Sequence, residues 1–301
     1  MIIILLLLFL FIGSILFVPV RLILFHPFLT VKYLILDIYH YFKYKLWRVY
    51  KTGRFDCFDS ASGRVFGSGK TLSCVYQLKR DYKKYNDVLI YDIYSRKWVT
   101  QKIIILTNLT LKNIPFIKLK NMDMILDTIE KNNKTKADDI IYSYIVLLDE
   151  CQNSLNNRDF KSNFSGSLLK ALTESRHYNM NFIYSCPHFN GVDLILRQCT
   201  SLNYKNNKIW RFQIQSVYDA QDVENATNIN LVKPFRKTGF FVEDSLFAEY
   251  DTKEIIDNVI KAKKDNNYLS DKEIIDLQGN SNKDINAINH KSKIAKNRLK
   301  M

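Results

Sequence analysis

Apolar residues run almost without interruption from Ile2 to Val20, broken only by Gly13, Ser14 and Pro19. At 1.5 Å rise per residue this run just spans a bilayer core of about 30 Å, so it predicts a transmembrane helix over about residues 2–20. A buried core helix would carry polar residues on some face. A cleaved signal peptide would have a basic start and a small-residue cleavage site, and neither is present. Leu22 to Leu36 is apolar again but contains His26, Pro27 and Lys32. Three readings fit this stretch: a second short segment, a continuation of the first helix, or an interfacial helix, with the apolar character fading by about residue 48.

Beyond residue 54 the pattern changes to short β-rich runs alternating with helical ones. Phe55–Phe58, Val88–Ile93, Lys102–Leu106, Tyr142–Leu148, Asn181–Cys186 and Lys208–Tyr218 read as strands. Leu72, Val75, Tyr76 and Tyr82 recur at helical spacing, and Met122–Glu130, Phe164–Tyr178 and Val192–Cys199 also read as helices. Lys131–Asp139 is polar and predicts a surface loop. The alternation predicts an α/β domain whose mostly parallel sheet is flanked by helices. Three regions follow: an anchor over 1–54, a core over 55–260 and a polar basic tail over 261–301. The tail has few large apolar residues and no aromatic residue after Tyr268, so neither independent folding nor base stacking is expected of it.

Charge then narrows the partners. Lys and Arg number 44 against 30 Asp and Glu, a net charge of +14 in 301 residues, which favours a polyanion or an anionic membrane surface. An AT-rich codon bias toward lysine is the plainer source of part of that excess. Arg21, Lys32, Lys43, Lys45, Arg48, Lys51 and Arg54 all follow the first apolar run, so the positive-inside rule places the N-terminus outside and the rest in the cytoplasm. Cys57, Cys74, Cys151, Cys186 and Cys199 form no C-x-x-C pair and read as small core residues in a reducing compartment.

Two stretches carry chemistry. Gly63 to Thr71 reads Gly-Arg-Val-Phe-Gly-Ser-Gly-Lys-Thr, a phosphate-binding loop opening a helix. Gly67, Ser68 and Gly69 would turn successive N–H groups toward one anion. Lys70 would reach the β- and γ-phosphates of ATP, and the Thr71 hydroxyl would ligate Mg²⁺. The usual first glycine falls at Arg64, with Gly63 one residue too early. Tyr142 to Glu150 is a continuous apolar strand ending in two carboxylates. Asp149 would hold Mg²⁺, and Glu150 would polarise the attacking water. Together the two stretches predict a P-loop NTPase, an enzyme that hydrolyses ATP.

Further motifs follow in a particular order: Ile103–Asn108, a strand ending in Thr-Asn; LLDECQN at Leu147–Asn153; ESRHYNMNFIYSCP at Glu174–Pro187; VDLILR at Val192–Arg197; and AEYDTKEI at Ala248–Ile255. In this order they resemble the zonular occludens toxin-like (Zot) family, the morphogenesis ATPases of filamentous and rod-shaped bacteriophages. The resemblance covers roughly residues 55–255. It implies a membrane-bound P-loop ATPase that assembles and extrudes a phage particle at the host inner membrane. Its implied partners are the membrane, other copies of the chain, phage single-stranded DNA or coat proteins, and other assembly proteins. Cys186 stands where the family often has a glutamine thought to sense the γ-phosphate, and the apolar run precedes the core, where relatives often place it after. Arg176 and Arg197 are candidate arginine fingers supplied to a neighbouring subunit. Two rivals share parts of this pattern: a DNA-translocating conjugation or packaging ATPase, and a non-enzymatic membrane scaffold or toxin-like protein with a degenerate loop.

Overall fold

The computed structural model describes residues 9, 13, 17–61, 66–135, 137–155, 165–226 and 231–251. Most of the Ile2–Val20 run, the Gly63/Arg64 departure and the whole tail lie outside the described residues. Two helices open the described chain, α1 (Val18–Phe25) and α2 (Pro27–Lys43). Proline 27 has no N–H to donate and restricts His26 before it, so one continuous helix is broken there and the pair bends by 101°. No single described helix is long and apolar enough to cross a membrane; the bent pair passes that test only together, by length and composition.

The core is a sheet in the order β2-β3-β5-β6-β1-β7-β8-β9, with the short β4 (Ile117–Lys118) beside β3. Its five central strands are parallel: β3 (Lys97–Thr107), β5 (Ile140–Leu148), β6 (Met180–Ser185), β1 (Phe55–Ser60) and β7 (Leu202–Ile209). Antiparallel strands close both edges, β2 (Val88–Asp92) on one side and β8 (Phe212–Asp219) with β9 (Arg236–Phe241) on the other. The sheet is therefore mixed, parallel at its centre only.

Burial on both faces explains the unbroken apolar character of the central strands. On β5, Tyr144, Val146 and Leu148 enter one core cluster while Ile145 and Leu147 enter the other. The first cluster is covered by α4 (Met124–Lys134), α6 (Gly166–Thr173), α7 (Leu194–Cys199) and α8 (Ala220–Asn225). The second is covered by α3 (Lys70–Tyr85) through Leu72, Val75 and Leu78, with α9 (Asp244–Phe247) beside it. A short helix, α5 (Cys151–Ser154), follows β5. Cys57, Cys74, Cys151 and Cys186 are buried in these clusters, as their small apolar character predicts.

Several elements differ from the sequence reading. The expected single strand Lys208–Tyr218 is a hairpin in which Ile209 pairs Phe212 across Trp210 and Arg211. Trp210 takes φ 54, a conformation usually left to Gly or Asn, so no turn signal marks it. The helix expected over Phe164–Tyr178 is only Gly166–Thr173, capped where Ser165 Oγ accepts the Leu168 N–H. The helix near Met122 runs on to Lys134 and takes in part of the expected loop.

Candidate functional site

Four parallel strands end at one place. Ser60 closes β1, Asn108 follows β3, Asp149 follows β5 and Ser185 closes β6. The carboxyl edge of a parallel sheet is where α/β proteins collect ligand-binding side chains. The glycine loop leaves β1 at this edge and leads into α3, whose N-terminus faces the same space.

The loop is held from two sides. Gly67 and Gly69 have φ 69 and 82, left-handed values that suit glycine. A side chain at Gly69 would also collide with Gln213, because its Cβ would lie 2.1 Å from Gln213 Oε1. Gln213, buried on β8, donates from Nε2 to the Ser68 carbonyl at 3.0 Å. It also donates to Asn206 Oδ1 at 3.2 Å, the same oxygen that accepts from Ser73 on α3. On the other side Ser60 Oγ lies 3.2 Å from Ser68 Oγ and accepts from Lys70 Nζ at 3.1 Å.

Thr71 and Asp149 meet across the gap between loop and strand. Thr71 Oγ1 lies 2.9 and 2.8 Å from the two Asp149 carboxylate oxygens. Ser185 Oγ donates to Asp149 Oδ1 and accepts the Glu150 N–H at 2.9 Å. Asn108 bonds the Asp149 backbone in both directions. Burial pushes the Asp149 carboxyl above the ordinary value of 3.8, while the Ser185 and Thr71 bonds pull it back. Glu150 is exposed at φ 49, and its Oε2 accepts from Asn153 Nδ2 at 2.9 Å. The left-handed backbone turns the chain straight from β5 into α5 and leaves this carboxylate in the open.

Thr71, Glu150 and Ser185 line a cavity of about 270 Å³ with the loop at one side and Lys208, Phe247 and Tyr250 at another. Lys208 Nζ sits 4.4 Å from the Phe247 ring centroid, a second ammonium at the cavity beside Lys70. A hydroxyl and a carboxylate in contact are hard oxygen donors, and with phosphate and water they suit Mg²⁺, which needs no all-protein cage. Thr71 and Asp149 fit that ion.

The structure thus gathers Gly67, Ser68, Gly69, Lys70, Thr71, Asp149 and Glu150 in one place. It does not bring the two arginines there. Arg197 is buried on α7, donating through Nη1 to Glu224 and through Nε to the Val192 carbonyl. That guanidinium is already engaged within its own chain. Arg176 precedes β6, at the opposite edge of the sheet. Cys186 is a core residue, as expected of it: its Sγ lies 3.4 Å from Cys57 Sγ, and the residue facing the site is its neighbour Ser185. Strand alternation decides this, since a one-residue shift turns a side chain to the other face. Ser60, Ser185, Lys208 and Gln213 were missed as site residues; only the Thr-Asn strand end hinted at Asn108.

The family model described as zonular occludens toxin (Zot) matches residues 62–248. No curated protein matches the chain. Among solved structures, the N-terminal domain of zonular occludens toxin from Neisseria meningitidis is similar at 17% identity and TM-score 0.40, covering 66% of this chain and 99% of that one. The genome packaging NTPase B204 from Sulfolobus turreted icosahedral virus 2, in complex with ATP-gammaS, is similar at 12% identity and TM-score 0.34, covering 64% of this chain and 94% of that one.

Proposed function

The chain belongs to the zonular occludens toxin (Zot) family, and we propose that it is a membrane-anchored ATPase driving assembly and extrusion of a filamentous or rod-shaped phage particle. The observation that carries the ATPase reading is the contact between Thr71 Oγ1 and both oxygens of Asp149. It joins the glycine loop to the acidic strand end, the two halves that phosphoryl transfer with Mg²⁺ requires.

In this reading the Gly67–Gly69 backbone and the α3 N-terminus bind the phosphates, and Lys70 swings from Ser60 to reach them. Thr71 and Asp149 would hold Mg²⁺, which would supply positive charge against that developing on the phosphates. Glu150 orients the attacking water and accepts its proton. Lys208 supplies a further positive charge from β7. The anchor is residues 1–54, the catalytic core is cytoplasmic at the host inner membrane, and the working form is an oligomer. The topology supports this arrangement: α2 leads into the N-terminal end of β1, whereas the loop leaves its C-terminal end, so the site opens away from the anchor.

The test is ATP hydrolysis by the full chain in neutral detergent, with particle release from cells carrying Lys70→Ala. Turnover in the wild type, absence of nucleotide binding in the variant and arrested release support the reading. Release at the normal level with Lys70→Ala would sink it.

A further inference from the structure

The Glu174–Pro187 segment is the most particular motif of the chain, yet its Arg-His-Tyr part has no place at the nucleotide loop. Arg176, His177 and Asn179 instead line a cavity of about 650 Å³ at the N-terminal edge of the parallel strands. Leu46, Val49, Ile90 and Tyr91 give it apolar walls, and the cations lining it are Lys51 and Arg176. Asp92, also at the cavity, has its carboxylate accepting the Tyr94 and Ser95 N–H groups at 3.1 and 3.2 Å.

The position of Arg176 is built into the backbone. Gly53 has φ 82, and a Cβ there would lie 2.1 Å from Arg176 Cγ. The arginine stem therefore crosses the chain where only glycine leaves room. Gly53 is fixed in turn by its N–H, which donates to the Met180 carbonyl at 2.9 Å.

The surroundings of the cavity combine aromatic and basic residues. Tyr44, at the end of α2, stacks on Tyr91 of β2 with centroids 4.1 Å apart. Trp47 packs against Tyr41 and Phe42. The turn from β2 to β3 presents Ile93 and an almost fully exposed Tyr94. Lys43, Lys45, Arg48, Arg96 and Lys97 lie along the same segments. Aromatic rings and cations gathered around one cavity suit a headgroup layer, and basic pockets at such a layer take anionic headgroups.

We propose that this cavity binds the phosphate of an anionic phospholipid. Lys51 and Arg176 hold the phosphate ester, and the acyl chains leave along Leu46 and Val49. The inference rests on the membrane anchoring in the proposed function and not on ATP hydrolysis. It gives the Arg-His-Tyr motif a role in seating the core on the membrane.

The test titrates the full chain in neutral detergent with three ligands: dihexanoyl phosphatidylglycerol, dihexanoyl phosphatidylcholine and glycerol 3-phosphate. Binding is read by calorimetry. Phosphatidylglycerol should bind about tenfold tighter than either of the others, and Lys51→Gln and Arg176→Gln should each weaken it about tenfold, the scale of one lost bond to a charged group. Both variants should keep the lipid-free unfolding midpoint, and Gly53→Ala should weaken binding with every charge retained. Equal affinity for the two lipids, or unchanged affinity in both charge variants, overturns the proposal. Glycerol 3-phosphate binding as tightly as the lipid also overturns it, assigning the cavity to a soluble phosphate ester. A labelled ATP analogue added to the same sample keeps the two readings apart: lipid binding without ATP binding counts against the ATPase alone.

Discussion

Asn108 and Asp149 are joined twice. Asn108 Nδ2 donates to the Asp149 carbonyl at 2.9 Å, and the Asp149 N–H donates to Asn108 Oδ1 at 2.9 Å. Both residues are buried. One side-chain amide thereby satisfies both backbone groups of the residue that faces Thr71, at the point where β5 ends and the ladder can no longer do so. Asn108→Ala leaves both groups without that partner. The expected loss is at least about 2 kcal/mol in urea unfolding, since each unsatisfied buried group costs roughly 1–3 kcal/mol. Mg²⁺-dependent nucleotide affinity should fall as well, measured with a fluorescent ATP analogue. Unchanged stability and affinity would remove the clamp from the account.

Glu150 combines an exposed carboxylate with a left-handed backbone at φ 49 and ψ 47. Glu150→Gln is expected to bind ATP at wild-type affinity while single-turnover hydrolysis falls at least about a hundredfold, the scale of general-base loss. Glu150→Gly should lose hydrolysis to the same degree yet unfold at a higher denaturant concentration, because glycine relieves about 1 kcal/mol of backbone strain. Normal turnover in the glutamine variant would take the water-activating role away from Glu150.

A pH effect follows from Asp56 on β1. Burial raises its carboxyl above the ordinary 3.8, and the Arg54 guanidinium and the Gln77 bond only partly offset this. Arg54 Nη2 is 2.7 Å from Asp56 Oδ2, and Gln77 Nε2 donates to the same oxygen at 2.6 Å. The folded chain therefore holds this proton more tightly than the unfolded one. Folding takes up a proton between pH 3.8 and the raised value, so the contribution of Asp56 to stability falls as pH rises through that window and is flat above it. Urea midpoints collected from pH 4 upward should show a downward component that Asp56→Asn abolishes. A slope unchanged in the variant would assign it to other groups.

Arg197 is expected to behave as a structural residue. Its side chain is 9% exposed and paired with Glu224. Arg197→Ala should lower stability by about 2 kcal/mol, below the range for fully buried pairs because Glu224 keeps some water. Turnover per folded molecule should stay within about twofold. A loss of a thousandfold or more with intact folding, the scale of a missing arginine finger, would restore that role to Arg197.

The sequence by itself determined the α/β alternation, the glycine loop and the acidic strand end. Each of these is a local pattern: residues 67–71 need only their own backbone to form an anion cradle, and an apolar run such as Tyr142–Leu148 reads as a strand buried on both faces without knowledge of its neighbours. The order of the motifs was equally legible, and with it the family. Tertiary structure alone decided which residues from distant strands reach the loop. Ser60, Asn108, Ser185 and Gln213 are ordinary polar residues in sequence, and they become site residues only because four strand ends and one β8 side chain converge on Thr71 and Asp149. Strand parity chose Ser185 over Cys186, a choice set by pairing with β5 and β1. Pairing across β7 and β8 also imposed the Trp210 turn against local propensity. The two arginines went elsewhere for the same reason: packing sets Arg197 beside Glu224 and lays the stem of Arg176 across Gly53, where only glycine leaves room.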